Sequence, residues 1–138
     1  MRSWLRVGLV VAALGSAGGA SGQDALTQRD RQGQGAVTVT VTLAGPPEVG
    51  VPIRVTVVLD THAVALDDVV FARAVALRTP EGAEVAPTRV EGSRGSGHHR
   101  AAVVVFPPVT QRGTVRIVVR NVGGIGERNF VWELPTAN

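Results

Sequence analysis

The feature that most constrains the fold is the strict alternation of apolar and polar residues between positions 36 and 43. Val37, Val39, Val41 and Leu43 fall on one side of an extended chain, and three threonines fall on the other. Successive side chains of a strand point to opposite faces. The alternation therefore predicts a half-buried β-strand.

Three later segments repeat this alternation, and a fourth is apolar almost throughout. The alternating apolar positions are Ile53, Val55, Val57 and Leu59; Val115, Ile117 and Val119; and Phe130, Trp132 and Leu134. The continuous run covers residues 101–106, which predicts a central strand covered on both faces.

The middle of the chain is less regular. Residues 66–77 fit either a strand throughout or an opening helical turn, because Asp67 can cap a helix and apolar residues follow at helical spacing. Residues 79–82 predict a turn. Residues 83–90 predict a strand, which Pro87 restricts to a sheet edge because proline has no N–H to donate. Beyond it, the glycine-rich residues 92–97 predict a flexible hairpin loop.

Together these segments predict an all-β protein. About seven short strands in about one hundred residues are typical of an immunoglobulin-like β-sandwich. The 138 residues allow one domain. There is no cysteine, which excludes disulfides, thiolate metal sites and a catalytic thiol.

The first 22 residues predict a secretory signal. Arg2 and Arg6 precede a short apolar run, and small residues at 20–22 fit a cleavage site. The run is too short to span a membrane, since spanning takes about 20 apolar residues. We therefore expect a protein exported to the periplasm or the medium, without stable membrane insertion. Residues 23–35 predict a flexible polar lead, and residues 36–138 a single β-sandwich domain.

The charge balance excludes one class of partner. All 14 basic residues are arginine, and removal of the signal leaves twelve against 11 acidic residues, a net charge of +1. A nucleic-acid-binding domain usually carries a strong positive charge or a basic stripe. The sequence predicts no nucleic-acid partner.

Three histidines are the candidate metal ligands. His62 follows a predicted strand that ends at Asp60, while His98 and His99 precede the apolar run. Imidazole with a carboxylate suits copper or zinc. Adjacent histidines on a strand point to opposite faces, so both bind one ion only if the glycines before them break the strand. The alternative is that one histidine hydrogen-bonds a neighbouring loop and the other is solvated.

Two further groups of residues have the types that chemistry or recognition would need. Ser96 with a histidine and Asp60 or Asp67 supplies the residue types of a hydrolase triad, but no nucleophile elbow is present, so we expect no enzyme. Glu127 and Arg128 precede Phe130 and Trp132 and fit either a recognition patch of arginine and tryptophan or a surface ion pair beside two core aromatics. We expect the ion pair, because the period-2 spacing of the aromatics is typical of a buried strand face.

Three short motifs carry a resemblance. They are Asp-Thr-His at 60–62, Gly-His-His-Arg at 97–100, and Glu-Arg-x-Phe-x-Trp at 127–132. Over about residues 55–134 the chain resembles an uncharacterised family of small exported prokaryotic β-sandwich domains. The chain departs from the family pattern at Ala63, where serine is expected, and at Val90, where an aromatic is expected.

The resemblance implies one structural unit and supplies neither an activity nor a substrate. It draws attention to six residues: His62, His98, His99, Arg100, Glu127 and Arg128.

Two functions follow from these residues. The first is an exported, non-enzymatic binding module, in its sharpest form a copper or zinc protein that uses His62, His98, His99 and Asp60. The second is a structural or protein-interaction module of the cell envelope. There the cluster, with Arg100, Glu127 and Arg128, is a polar network that stabilises the fold.

Overall fold

The protein folds as two antiparallel β-sheets packed face to face. The computed structural model describes residues 24–32 and 37–135. The predicted signal, the remainder of the predicted lead and the last three residues lie outside the described residues. Within the described ranges the secondary structure elements are a 3₁₀ turn (Asp24–Leu26), β1 (Thr27–Gln32), β2 (Val37–Leu43), β3 (Ile53–Asp60), α1 (Phe71–Ala74), β4 (Val75–Arg78), β5 (Glu84–Val85), β6 (Arg89–Ser96), β7 (His99–Phe106), β8 (Gly113–Val122) and β9 (Ile125–Leu134).

The strand order confirms the predicted immunoglobulin-like sandwich. The five-stranded sheet has the order β1-β2-β3-β7-β6, and the four-stranded sheet has the order β5-β4-β8-β9. With β1 set aside, β2, β3, β7 and β6 take the places of strands A, B, E and D of an immunoglobulin domain. The strands β4, β8 and β9 take the places of strands C, F and G. The structure describes nine strands where the sequence predicted about seven.

The core lies between the sheets and is built from the alternating positions. Every apolar residue named for the four alternating strands is buried. Strand β7 lies between β3 and β6, and Ala101, Ala102, Val104, Val105 and Phe106 are buried, as predicted for a central strand.

The polar segment predicted to be a flexible lead instead contains β1. Its six residues pair with β2 in unbroken antiparallel register. The Gln28 side chain donates to the Val131 carbonyl and accepts from the Val131 N–H, so an amide group connects β1 to the edge of the other sheet. The prediction was wrong because β1 is held by backbone pairing and polar contacts, which leave no hydrophobic alternation in the sequence.

Residues 66–77 are neither one strand nor a helix that starts at Asp67. An irregular turn precedes α1, a single helical turn that lacks a side-chain cap, and β4 follows directly. Asp67 caps no helix, because its carboxylate accepts the N–H of Gly97 in a different part of the chain.

The strand predicted at 83–90 is two strands. Strand β5 is an edge of the four-stranded sheet, and β6 is an edge of the five-stranded sheet. Pro87 lies between them, where the chain crosses from one sheet to the other. The edge placement was correct, and the single strand was wrong.

The glycine-rich segment 92–97 is largely strand rather than loop. Ser96 pairs with His99, so only Gly97 and His98 form the turn between β6 and β7. Gly97 has φ +63° and fills the first turn position, where a positive φ matches the twist of the two strands. A register shift between Glu91 and Arg94 bulges β6.

No helix among the described residues is long and apolar enough to cross a membrane.

Replacement of Gly123 by alanine is expected to destabilise the fold more than the same change at Gly124. Both glycines have positive φ, so both alanines are strained. Only at Gly123 would a Cβ overlap another residue, at 2.6 Å from Cγ2 of Val37. Urea unfolding should show that Gly123→Ala loses about 1–3 kcal/mol more than Gly124→Ala. Equal losses would contradict the packing of this turn on β2.

Candidate functional site

The predicted site residues all lie at one end of the sandwich. We call it the loop end. It comprises residues 61–70, the β6–β7 turn, the β8–β9 turn at residues 123–124, and the strand ends next to them. Its predicted residues are Asp60 at the end of β3, His62 in the following segment, His98 in the β6–β7 turn, His99 and Arg100 at the start of β7, and Glu127 and Arg128 near the start of β9.

Asp60 and His99 are in direct contact. They are cross-strand partners of β3 and β7, and the Asp60 carboxylate meets Nδ1 of His99. The two side chains are 53% and 56% exposed, so water screens this pair. His62 is exposed and lines a shallow cavity of about 240 Å³ together with Asp60, Arg31, Thr38 and Thr61.

The four predicted metal ligands do not form one cluster. Among the described residues, no group of three or more histidine, aspartate or glutamate side chains is placed to hold a metal ion. His98 contributes its backbone carbonyl, which accepts the N–H of Thr61 at 3.0 Å. The structure thus brings Asp60 and His99 into contact, and places His62 beside Asp60.

The residues proposed for a hydrolase triad are only partly assembled. Ser96 is the cross-strand neighbour of His99, which contacts Asp60 on its other side. Within residues 24–32 and 37–135, no hydrogen bond joins Ser96 Oγ to His99.

Segment 61–70 is fastened to the β6–β7 turn through several hydrogen bonds. Beside the Thr61 bond, the N–H of Leu66 donates to the carbonyl of Gly97 at 2.7 Å. The N–H of Gly97 donates to Oδ1 of Asp67 at 2.9 Å. The first two sequence motifs, Asp-Thr-His and Gly-His-His-Arg, therefore meet in space and hold each other.

Arg100 points into the sandwich and also binds segment 61–70. It is the cross-strand partner of the buried Leu59, so its side chain lies on the core face of β7. Its Nη1 donates to the carbonyls of Leu66 at 2.8 Å and Val69 at 3.1 Å. The guanidinium lies 5.1 Å from the centre of the Phe71 ring, a cation–π contact.

Arg128 was predicted to be a surface residue and is instead among the most buried side chains. It is 2% exposed and points into the core from β9. Its Nη1 and Nη2 donate to four backbone carbonyls. These belong to Asp30, Val37, Gln32 and Val122.

The environment of Arg128 is poorly solvated. Nε has no hydrogen-bond partner among the described residues, and Oδ2 of Asp30 lies 4.0 Å from it. Burial lowers the pKa of Arg128 from its ordinary value, and the Asp30 charge opposes that shift. Arginine is not deprotonated in proteins, so the group stays charged.

Glu127 does not pair with Arg128, and the predicted surface ion pair is wrong. Consecutive strand residues point to opposite faces, so Glu127 lies on the outer face of the four-stranded sheet. There Arg78 and Arg120 each contact both Glu84 and Glu127. The hydrogen bond from Arg120 is the main cause that lowers the pKa of Glu84.

A cleft of the loop end lies between segment 64–74 and the β8–β9 turn. It has a volume of about 540 Å³. Its lining includes Val70, which is 49% exposed, and three charged residues: Asp68, Arg73 and Arg120.

Comparison of the chain with protein-family models, with curated proteins and with solved structures gives no match. The resemblance drawn from the three motifs therefore stays a prediction.

The inward direction of the buried Arg128 and the half-buried Arg100 was missed, although the sequence carries a signal for both. Arg128 has the same parity as Phe130, Trp132 and Leu134, and the period of two places all four on the inner face. Arg100 has the parity of Ala102, Val104 and Phe106. Asp67 and the carbonyl acceptors carry no comparable signal, because their contacts depend on the tertiary fold.

Replacement of Arg128 by methionine is expected to lower the free energy of unfolding by about 3 kcal/mol or more, because four carbonyls lose their donors. Arg116→Met is the matched control, since Arg116 is exposed on the outer face of the four-stranded sheet. It should change stability by less than about 0.5 kcal/mol. Urea unfolding checks both, and equal small losses would contradict the role given to Arg128.

The Glu84 ion pairs predict a loss of stability in acid. The pKa of Glu84 is lower in the folded protein, so the stabilisation is complete above the ordinary glutamate pKa of about 4.3 and disappears as the pH falls through the lower folded value. Urea unfolding at pH 6 and pH 3 should show a smaller loss for Glu84→Gln than for the natural protein. Glu81→Gln, at an exposed turn residue, should keep the full loss.

Proposed function

We propose that the protein is an exported, non-enzymatic interaction module of the cell envelope, and that its His/Arg/Glu cluster stabilises the fold. One observation carries the proposal: the cluster's arginines at the loop end donate to backbone carbonyls of the protein itself. Arg100 donates to segment 66–69, and Arg128 donates to β1, β2 and β8.

A guanidinium that recognises a ligand needs free donors aimed at solvent. Arg128 has none in water, since its side chain is 0% exposed. Glu127 is shared between Arg78 and Arg120, and Asp67 accepts from Gly97. Arg100, Glu127 and Arg128 thus use their polar groups within the protein, which supports the scaffold role over a ligand-binding one.

The copper or zinc alternative rests on a separate observation. Asp60 touches His99 and shares a cavity with His62, so one carboxylate at the end of β3 lies near two imidazoles. A change of side-chain rotamers would be needed to turn them toward one ion, since no such group is present among the described residues.

Calorimetric titration with Cu(II) and Zn(II) near neutral pH separates the two functions. For a scaffold we expect no binding at micromolar concentrations, and no rise in melting temperature with metal, because only a ligand that binds the native state stabilises it. The His98→Ala, His99→Ala double variant should give the same titration as the natural protein.

An Arg100→Gln variant tests the scaffold role directly. It removes two strong hydrogen bonds to segment 66–69 and the contact with Phe71, so we expect a loss of about 2 kcal/mol. His62→Ala, at an exposed residue of the same end, is the control and should lose less than about 0.5 kcal/mol. Micromolar metal binding that vanishes in the double histidine variant would overturn the proposal in favour of the metal site.

A further inference from the structure

The fold distributes its charged residues unevenly between the two outer faces of the sandwich, although the net charge is small. In an antiparallel sheet, directly opposed residues share a face. The register therefore places five arginines on the outer face of the five-stranded sheet: Arg29, Arg31, Arg54, Arg89 and Arg94.

Among the residues that the structure describes, two carboxylates lie on that face, so its formal charge is +3. Asp60 is in contact with His99, and Glu91 is shared by Arg54 and Arg89. The outer face of the four-stranded sheet is different, because three arginines there face three glutamates. The basic surface thus belongs to one broad face of the sandwich, which we call the basic face.

Three cations of the basic face are free. Among the described residues, Arg29, Arg31 and Arg94 form no ion pair, and all three are exposed. Arg29 and Arg94 lie in one cross-strand row with Thr40, Val58 and Ala101 between them. Four strand spacings of about 4.8 Å put the backbones of β1 and β6 about 19 Å apart.

The surface around these arginines carries hydroxyl groups. Thr38, Thr40, Thr42 and Thr56 are half-buried along β2 and β3, beside short apolar side chains. None of the exposed large hydrophobic residues of the described chain lies on this face, and all four described aromatics are buried.

From this arrangement we infer that the basic face binds a linear acidic polysaccharide. The inference rests on the proposed function, and names the class of partner for the interaction module. Guanidinium groups pair with carboxylates through two parallel hydrogen bonds, and the threonines offer hydroxyl partners to a hydroxyl-rich chain.

The same surface fits other polyanions less well. Single-stranded nucleic acid is usually bound by aromatic stacking, which the face lacks. Insertion into an anionic membrane uses exposed apolar side chains, which the face also lacks. An acidic chain of sugars needs neither.

The test is binding of the purified full-length protein to polygalacturonate, a linear polyuronate, with its methyl ester as the uncharged control. We expect binding to polygalacturonate that weakens as salt rises, because the contacts are ionic. The Arg29→Gln, Arg94→Gln double variant should bind at least about tenfold more weakly. Arg116→Gln, an exposed arginine on the opposite sheet, should stay within about twofold of the natural protein.

Four results would overturn the inference: equal binding to the methyl ester, no loss in the double variant, the same loss in Arg116→Gln, or binding only to duplex DNA or to phosphatidylglycerol vesicles offered in parallel. If the protein binds neither polyuronate nor metal, the role inferred for the basic face is rejected and the scaffold role remains. Metal binding through the histidines would reject the proposed function whatever the polyuronate result.

Discussion

The interaction on which the rest of the structure depends is the burial of the Arg128 guanidinium. From β9 of the four-stranded sheet it donates to carbonyls of β1 and β2 in the other sheet, and to the end of β8. A chain without cysteine has no disulfide to join its sheets. Arg128 makes that connection with hydrogen bonds to a charged donor, which are stronger than those between neutral groups. Arg100 acts in a similar way at the same end, where it ties β7 to the segment before α1.

The hydrogen bonds of these two arginines join the three sequence motifs to the rest of the fold at one end of the sandwich. Asp-Thr-His begins the segment that Gly-His-His-Arg holds, and Glu-Arg-x-Phe-x-Trp supplies the cross-sheet connection. The indole of Trp132 adds a further bond, to the carbonyl of Ala25 ahead of β1. We therefore propose that the cluster of histidine, arginine and glutamate, whose residue types would also suit a binding site, mainly stabilises the fold. The basic face is the surface that we propose for a partner.

The sequence predicted the sandwich because its central strands alternate, and alternation reports the core face directly. It failed where structure does not depend on hydrophobic pattern. Strand β1 is polar and held by pairing with β2, and β6 is rich in glycine, which was interpreted as a loop. The candidate residues were correctly placed at strand ends, and their grouping at one end of the molecule is a finding of the structure. Burial of Arg128 was predictable from its parity with Phe130. The basic face was not predictable, because it depends on which strands are neighbours.

Amide hydrogen exchange at the loop end tests the central claim most directly. The N–H groups of Thr61, Leu66 and Gly97 each cross between segment 61–70 and the β6–β7 turn. If the motifs form one scaffold, these three amides should be protected together and exchange through a common opening, with a free energy close to that of the neighbouring strands. Exchange at the rate of an unprotected chain, with β3 and β7 still protected, would show that the loop end is not held by the network and would contradict the account.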